Sequence, residues 1–353
     1  MAPGTNSCPL NLARSCLPLH RRLKSLLPSP VPNIMISMRR AEKHTIRQLP
    51  NSFSNVFRQR QTWRQISLLT KLLLILPTGL LAVSIASILI RWCEAPALTI
   101  ATYRLCMASI LRYLMGGRKA RHAFTRLGRR DLQWGIISGF FLALHFAAWI
   151  RSLELTSVAS SVVLVSTAPF FVVLGARVFL HSRVAGLLAL GLTVAFAGLV
   201  LIAHSDFSAR GENMAGDLLA ILGAVGGAGY MLCGRYLRAR LDTYTYIFIA
   251  YSIAAVLLLL AAALSSTPLT GFSGTTYGLF VLIALVPQLV GHSSFNWSLK
   301  YLSAPLVSTI LLGEPILASF LAVIFLHEIP TAWQMAGSLL VILGVGFAIW
   351  SEK

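Results

Sequence analysis

The sequence predicts an all-α integral membrane protein, with ten transmembrane helices arranged as two inverted-topology five-helix repeats. Three observations lead there: a charge content far below that of water-soluble chains, ten apolar runs of membrane-spanning length, and an offset of 146 residues at which the second half repeats the first. Of the 353 residues, 56% are hydrophobic and only 12% are charged, against roughly 25% charged in soluble globular proteins. A surface that poor in charge would precipitate a soluble protein of this size. Ordinary soluble enzymes, nucleic-acid binders and secreted disulfide scaffolds are therefore excluded.

The net charge of +19 resembles a nucleic-acid signal until it is located. Residues 1–71 hold 12 Lys/Arg and a single acid, Glu42, which gives +11, and the remaining +8 sits mainly in short loops. This is the pattern of positive charge retained on the cytoplasmic side of a membrane. The expected partners are a lipid bilayer and a small-molecule substrate, not nucleic acid. The five cysteines, Cys8, Cys16, Cys93, Cys106 and Cys233, are scattered and form no C-x-x-C, so neither a disulfide framework nor a metal site is expected.

Residues 1–61 form a polar, basic tail rich in Arg, Ser and Pro, with no apolar run able to span or to build a core. Three readings fit it: a disordered tail, a cleaved targeting peptide, or sequence upstream of a later start at Met35 or Met38. From Phe53 to Ile66, Phe53, Val56, Phe57, Trp63 and Ile66 recur at helical spacing among arginines, the pattern of a short interfacial helix leading into the membrane.

The ten apolar runs cover 72–90, 96–115, 132–151, 157–180, 184–204, 215–236, 244–265, 277–298, 303–326 and 332–350. Each suits a hydrocarbon layer of roughly 30 Å. The loop after the second run carries Arg118, Lys119, Arg121, Arg126, Arg129 and Arg130; Arg183 follows the fourth, and Arg238 and Arg240 follow the sixth. The opposite side offers only Arg91, Arg151 and Arg210. A multi-pass protein of the cell membrane with both termini cytoplasmic follows from this bias.

Residues 152–205 laid on 298–351 without a gap give 11 identities in 54 positions. Pro169 matches Pro315, Phe179-Leu180-His181 matches Phe325-Leu326-His327, and Gly191 and Gly198 match Gly337 and Gly344. The halves then fill 62–207 and 208–353, with five runs each. An odd number of spans makes the second half enter from the opposite side. Inverted repeats of this kind characterise secondary transporters, whose site lies near the midplane between the halves.

The stretch Ser303-Ala304-Pro305 through Leu312-Gly313-Glu314-Pro315, then Phe325-Leu326-His327-Glu328 and Gly337…Gly344-Val345, resembles the EamA module of the drug/metabolite transporter superfamily. Ser157…Pro169…Phe179-Leu180-His181…Gly191…Gly198 looks like the same module in the first half, and Arg104 falls where these proteins commonly carry an arginine. Two positions depart from the pattern: Ser182 stands opposite Glu328, and Ala168 opposite Glu314, so any carboxylate role is one-sided. The resemblance implies a ten-helix exporter or facilitator of small metabolites such as amino acids or drug-like organic solutes, working by alternating access.

Candidate functional residues lie deep in the runs. Pro169 and Pro315 sit at the centres of the fourth and ninth, where each removes a backbone hydrogen bond, and their matched placement favours a hinge. Glu314 beside Pro315 must face the bundle and find a partner, because a carboxylate in mid-membrane costs at least about 2.5–3.5 kcal/mol. Arg104 is the partner the sequence offers, giving a structural Glu–Arg pair; binding a substrate amine or coupling protons is the functional reading of Glu314. Gln288, His292 and Asn296 recur at i, i+4 and i+8 on the eighth run, with Pro287 and Gly291 suggesting a bend there. Phe141, His145 and Trp149 follow the same spacing on the third run. These polar and aromatic stripes, with Glu314, are the expected substrate-binding groups on an otherwise apolar wall. Gly223, Gly226, Gly227 and Gly229 crowd the sixth run. They suit close packing first, with a substrate path, the seam between halves or a homodimer as other uses.

No phosphate-loop motif is present, and His327-Glu328 fails as H-E-x-x-H because position 331 is Thr, so no cofactor, metal or catalytic residue is expected. Two other classes compete with a transporter. An integral-membrane enzyme acting on lipid or isoprenoid substrates needs clustered Asp, His or Lys at one face, whereas only 10 acids follow residue 71, mostly singly. A seven-span photoprotein needs a Lys within its last span, and the second half has only Lys300 in a loop and the terminal Lys353. Single cysteines placed in each loop of a cysteine-free variant test the topology. Labelling by a membrane-impermeant maleimide should alternate through ten spans, with both ends protected in intact cells. Seven spans, or an exposed terminus, contradicts it.

Overall fold

The computed structural model describes residues 51–116, 127–156, 158–181, 185–204, 214–326 and 331–351. Most of the N-terminal tail, most of the basic loop after the second run, Arg183, Arg210 and His327-Glu328 lie outside the described residues. The chain divides into two compact units, 1–63 and 64–353; of the first, only the helical residues from 51 onward are described.

The described residues form helices joined by short turns, with no strand among them. The helices are α1 Asn51–Ser84, α2 Ala86–Arg91, α3 Ala97–Gly116, α4 Arg129–Leu155, α5 Val158–Val165, α6 Ala168–Phe179, α7 Gly186–His204, α8 Met214–Arg238 and α9 Thr243–Leu264. They continue with α10 Gly274–Ile283, α11 Ser293–Ser298, α12 Ala304–Ile310, α13 Glu314–Leu326 and α14 Ala332–Trp350. A π-helical stretch, Ala284–His292, joins α10 to α11, and a 3-10 turn, Leu311–Gly313, joins α12 to α13. Six helical spans, among them Arg129–Leu155 and Thr243–Leu264, are long and apolar enough to cross a membrane, and shorter apolar helices accompany them. Outward faces carry large apolar side chains such as Leu73, Leu260 and Ile342, the surface that lipid tails cover.

Local chemistry explains the ends and the breaks. Ser303, Ser273 and Asp242 cap helix starts by accepting backbone N–H bonds, and Thr331 with Gln334 forms a reciprocal capping box. The short helix expected over 53–66 is not separate: α1 runs through it to Ser84, because residues 55–76 contain neither Gly nor Pro. Pro169 and Pro315 divide their spans. The first half-helix ends at Val165 and the next starts at Ala168, and the 3-10 turn Leu311–Gly313 marks the matching place in the other span. Thr167 bonds the Leu164 carbonyl through both its N–H and its hydroxyl, so that carbonyl is satisfied within the break. Pro287, which lacks an N–H, lies inside the π-helical stretch, where the ladder slips by one residue.

Glycines set the closest helix contacts. A Cβ on Gly191 would lie 2.5 Å from the carbonyl oxygen of Gly344, and one on Gly198 would lie 2.4 Å from that of Gly337. As the numbers rise on α7 they fall on α14, so these helices cross antiparallel with their backbones in contact. On α8, Gly223 and Gly226 bring the backbone against Trp149 and His145 of α4, and Gly229 abuts Phe141. The Gly223/Gly227 face is thus occupied within the same chain.

Replacing Gly198 or Gly344 by Ala should therefore lower stability in detergent by about 1–3 kcal/mol, since a backbone neighbour cannot yield as a side chain can. Gly346, where an added Cβ would meet nothing within 4 Å, serves as the control, and Ala there should leave the thermal midpoint unchanged or raise it. Equal effects at the two kinds of site would contradict the contact.

Candidate functional site

Both helix breaks open onto one hollow of about 150 Å³. Its wall takes Arg104 from α3, His145 and Trp149 from α4, His292 from the π-helical stretch and Asn296 from α11. Pro169, Glu314 and Pro315 come from the breaks themselves. Eight of the residues singled out in the sequence therefore border a single cavity, while Phe141 packs against Gly229 instead. Apolar neighbours such as Val83, Val165, Phe295 and Leu311 fill most of the remaining wall.

Gln288 does not border it either. It is fully buried behind Arg104, where its Oε1 accepts from Arg104 Nε at 2.6 Å and its backbone carbonyl accepts from the Tyr251 hydroxyl at 3.2 Å. Of these two residues in the π-helical stretch, only His292 borders the cavity, and Gln288 is taken up by Arg104. Gln288 positions a wall residue and is not itself one.

Arg104 is 1% exposed. Besides Gln288, the Phe146 ring holds it, with the guanidinium carbon 4.1 Å from the ring centroid, a contact worth about 2 kcal/mol when desolvated. The direct Arg104–Glu314 ion pair expected from the sequence is not formed. Ion pairs at Arg151–Glu154 and Arg240–Asp131 lie outside the cavity. A neutral amide and an aromatic face take the place that the sequence reading gives to Glu314. Phe146 escapes that reading, since nothing marks one Phe among many until its partner is known.

Glu314 opens α13, where the positive end of the half-helix favours a carboxylate. Its backbone carbonyl accepts from the Ser84 hydroxyl at 3.2 Å, and no described side chain pairs with its carboxylate. The matching start of α6 carries Ala168, so the cavity holds one carboxylate and one guanidinium.

The imidazoles are set by their neighbours. His145 Nδ1 lies 2.8 Å from the Gly223 carbonyl oxygen. That oxygen only accepts, so Nδ1 donates, and in the neutral ring Nε2 is left as an acceptor. The ring stacks on Trp149 at 6.0 Å, and a Cβ on Gly227 would sit 3.1 Å from Nδ1, which is why a glycine belongs opposite it. His292 meets Phe146 edge-on at 5.4 Å. Asn296 donates its amide to the Tyr230 hydroxyl at 2.7 Å, and Tyr230 itself lines the wall. Tyr230 escapes the sequence reading too, because its place after Gly229 makes it look like part of the glycine-rich packing run. Two buried donors at this wall have no acceptor among the described residues: Arg104 Nη1 and Trp149 Nε1.

Comparison with known proteins agrees with this architecture. The EamA-like transporter family matches residues 69–204 and 214–350. The pseudopaline exporter CntI of Pseudomonas aeruginosa (strain UCBPP-PA14) is 24% identical over 249 residues, covering 70% of this chain and 84% of that protein. The "Probable terminal-alkyne amino-acid exporter" of Streptantibioticus cattleyicolor is 27% identical over 185 residues, 52% of this chain and 61% of its own length. A solved crystal structure superposes with a TM-score of 0.66 at 20% identity, covering 80% of this chain and 97% of that one, a likeness of fold.

The Tyr230–Asn296 bond should be worth about 0.5–1.5 kcal/mol. Tyr230→Phe should lower the thermal unfolding midpoint in detergent accordingly, and an unchanged midpoint would show that the amide finds another acceptor.

Proposed function

Because this chain is a member of the EamA-like transporter family, matched along nearly all of 69–350, and a multi-pass membrane protein, we propose that it is a secondary exporter of small organic solutes such as amino acids. It works by alternating access in the cell membrane, with ten spans, both termini cytoplasmic, and inverted repeats over 62–207 and 208–353.

One observation carries the reading: the cavity is built from equivalent places in the two halves. Val165 and Leu311, Ser166 and Leu312, Ala168 and Glu314, Pro169 and Pro315, and Trp149 and Phe295 all line it, and each pair is separated by the 146-residue offset. The crossed contacts of Gly191 with Gly344 and Gly198 with Gly337 support the inversion, because the offset carries the first pair onto the second. Two halves so related can exchange conformations and open the same cavity to either side. The breaks at Pro169 and Pro315 supply hinges, since their half-helices are not held to one another by a continuous ladder.

His145, Trp149, His292, Asn296 and Glu314 contact the solute, and Glu314 receives its amine. The relatives are named as exporters and transporters, and nothing among them favours an enzyme acting on lipid or isoprenoid substrates.

Comparing the medium of cells producing the wild-type chain, Glu314→Gln at equal abundance, and an empty vector tests this. One class of solute should accumulate with the wild type and fall to the vector level with the variant. Accumulation that matches the empty vector, with the protein confirmed in the membrane, overturns export.

A further inference from the structure

We infer that Arg235 and Arg238 latch one end of the cavity, cytoplasmic in the proposed topology, so that the protein rests with this end shut and the opposite end the easier to open. This rests on the transport reading and adds its gate. Close contacts sort the cavity wall into two bodies. In one, Gly223, Gly226 and Gly229 seat α8 on α4. In the other, a Cβ on Gly79 of α1 would lie 2.6 Å from the Ser294 side chain, and one on Gly291 would lie 2.6 Å from Val83, so α1 lies on the π-helical stretch and α11. Both bodies supply wall, His145 and Tyr230 from the first, Val83 and His292 from the second. The 146-residue offset exchanges them, carrying Val83 onto Gly229 and His145 onto Gly291.

The bodies are tied at one end by side-chain bonds. A helix leaves its last carbonyls without intrahelical donors. At the end of α11 the carbonyls of Phe295, Trp297 and Ser298 accept from the N–H groups of residues 299–302. Those of Asn296 and Leu299 accept from α8: Arg238 Nε donates to the first at 3.0 Å, and Arg235 Nη1 to the second at 2.5 Å. Asn296 and Leu299 border the cavity, and the Asn296 amide donates to Tyr230 of α8 as well. Arg238 is 2% exposed, and its Nη1 also donates to the Leu241 carbonyl, which holds the guanidinium in place.

The opposite end has equivalent positions and different chemistry. The offset carries Arg235 and Arg238 back to Leu89 and Trp92, and Asn296 and Leu299 back to Ile150 and Leu153. Leu89, Ile150 and Leu153 belong to one apolar cluster, and Trp92 is 49% exposed where Arg238 is buried. These four side chains carry no charge, so parting them breaks no charged hydrogen bond, whereas parting α8 from α11 breaks two. Halves alike in backbone and unlike at their gates do not weight the two openings equally.

Thiol labelling measures access from each side. Ser166→Cys, in a variant without the native cysteines, places a reporter on the cavity wall at the helix break, where Ser166 is half-buried. Membrane vesicles of either orientation are treated with trimethylammonium-ethyl methanethiosulfonate, a small thiol reagent that does not cross the bilayer. With the latch intact, labelling should be faster from the outer face. Arg235→Gln combined with Arg238→Gln should raise the cytoplasmic-face rate about fivefold or more, and Leu89→Ala at the matching place should not. A cytoplasmic-face rate that stays unchanged, that exceeds the outer-face rate with the latch intact, or that rises equally in Leu89→Ala overturns the inference. If the double variant does not reach the membrane, Arg238→Lys decides. It keeps the charge but lacks the planar fork that reaches the Asn296 and Leu241 carbonyls together, so the rate should rise, and no rise overturns the latch. Labelling reads access and not export: an unchanged rate beside solute accumulating in the medium overturns the latch alone, and a raised rate without accumulation overturns export alone.

Discussion

Hydrocarbon offers no hydrogen bond to a peptide group, so any span that interrupts its helix must place the interruption against protein or a polar hollow. The rest of the arrangement follows from that constraint. Two prolines interrupt two spans, and both interruptions lie on the same cavity. Thr167 answers the loosened backbone in one, and Ser84, from a neighbouring helix, answers the carbonyl of Glu314 in the other. Polar side chains then gather where the backbone already requires polarity, so the breaks and the site share one location for a common reason.

Packing fixes how near the walls can come. Without side chains at Gly223, Gly226 and Gly227, α8 lies directly on α4 and presents the Gly223 carbonyl to His145. Any larger residue there would displace the imidazole and, through the ring stack, the indole of Trp149. The crossed glycines of α7 and α14 do the same job away from the cavity. Contact between backbones, with little help from bulky side chains, suits surfaces that are already bathed in apolar lipid and gain nothing from excluding water.

Much of this is legible in the sequence alone. The apolar runs 132–151 and 215–236 appear as helices 129–155 and 214–238, because length and hydropathy dominate helix placement in a membrane. Wall residues such as His145, His292 and Glu314 stand out because polar groups in apolar runs are costly to insert. What stays hidden are partnerships. Sequence reasoning matches Arg104 to Glu314 because opposite charge is the only pairing a sequence displays, whereas Gln288 and Phe146 satisfy it through a neutral oxygen and a ring face. It aims Gln288 at the cavity because a stripe at i, i+4 and i+8 shows a shared face but not the neighbour each residue meets, and Gln288 meets Arg104.

The π-helical stretch that joins α10 to α11 lets this wall absorb a change of chain length. A ladder of i to i+5 bonds holds more residues in each turn than the 3.6 of an α-helix, and here it spans Ala284–His292. Loss of a single residue from it would let the ladder tighten into an α-helix, and the residues beyond would nearly keep their direction, because the π turn already holds the extra residue. Asn296 would then stay against Tyr230. Among relatives of this chain, an alignment gap of one position in this segment therefore leaves the far part of the wall in place, whereas the same gap in an unbroken α-helix would turn everything beyond it by about 100°.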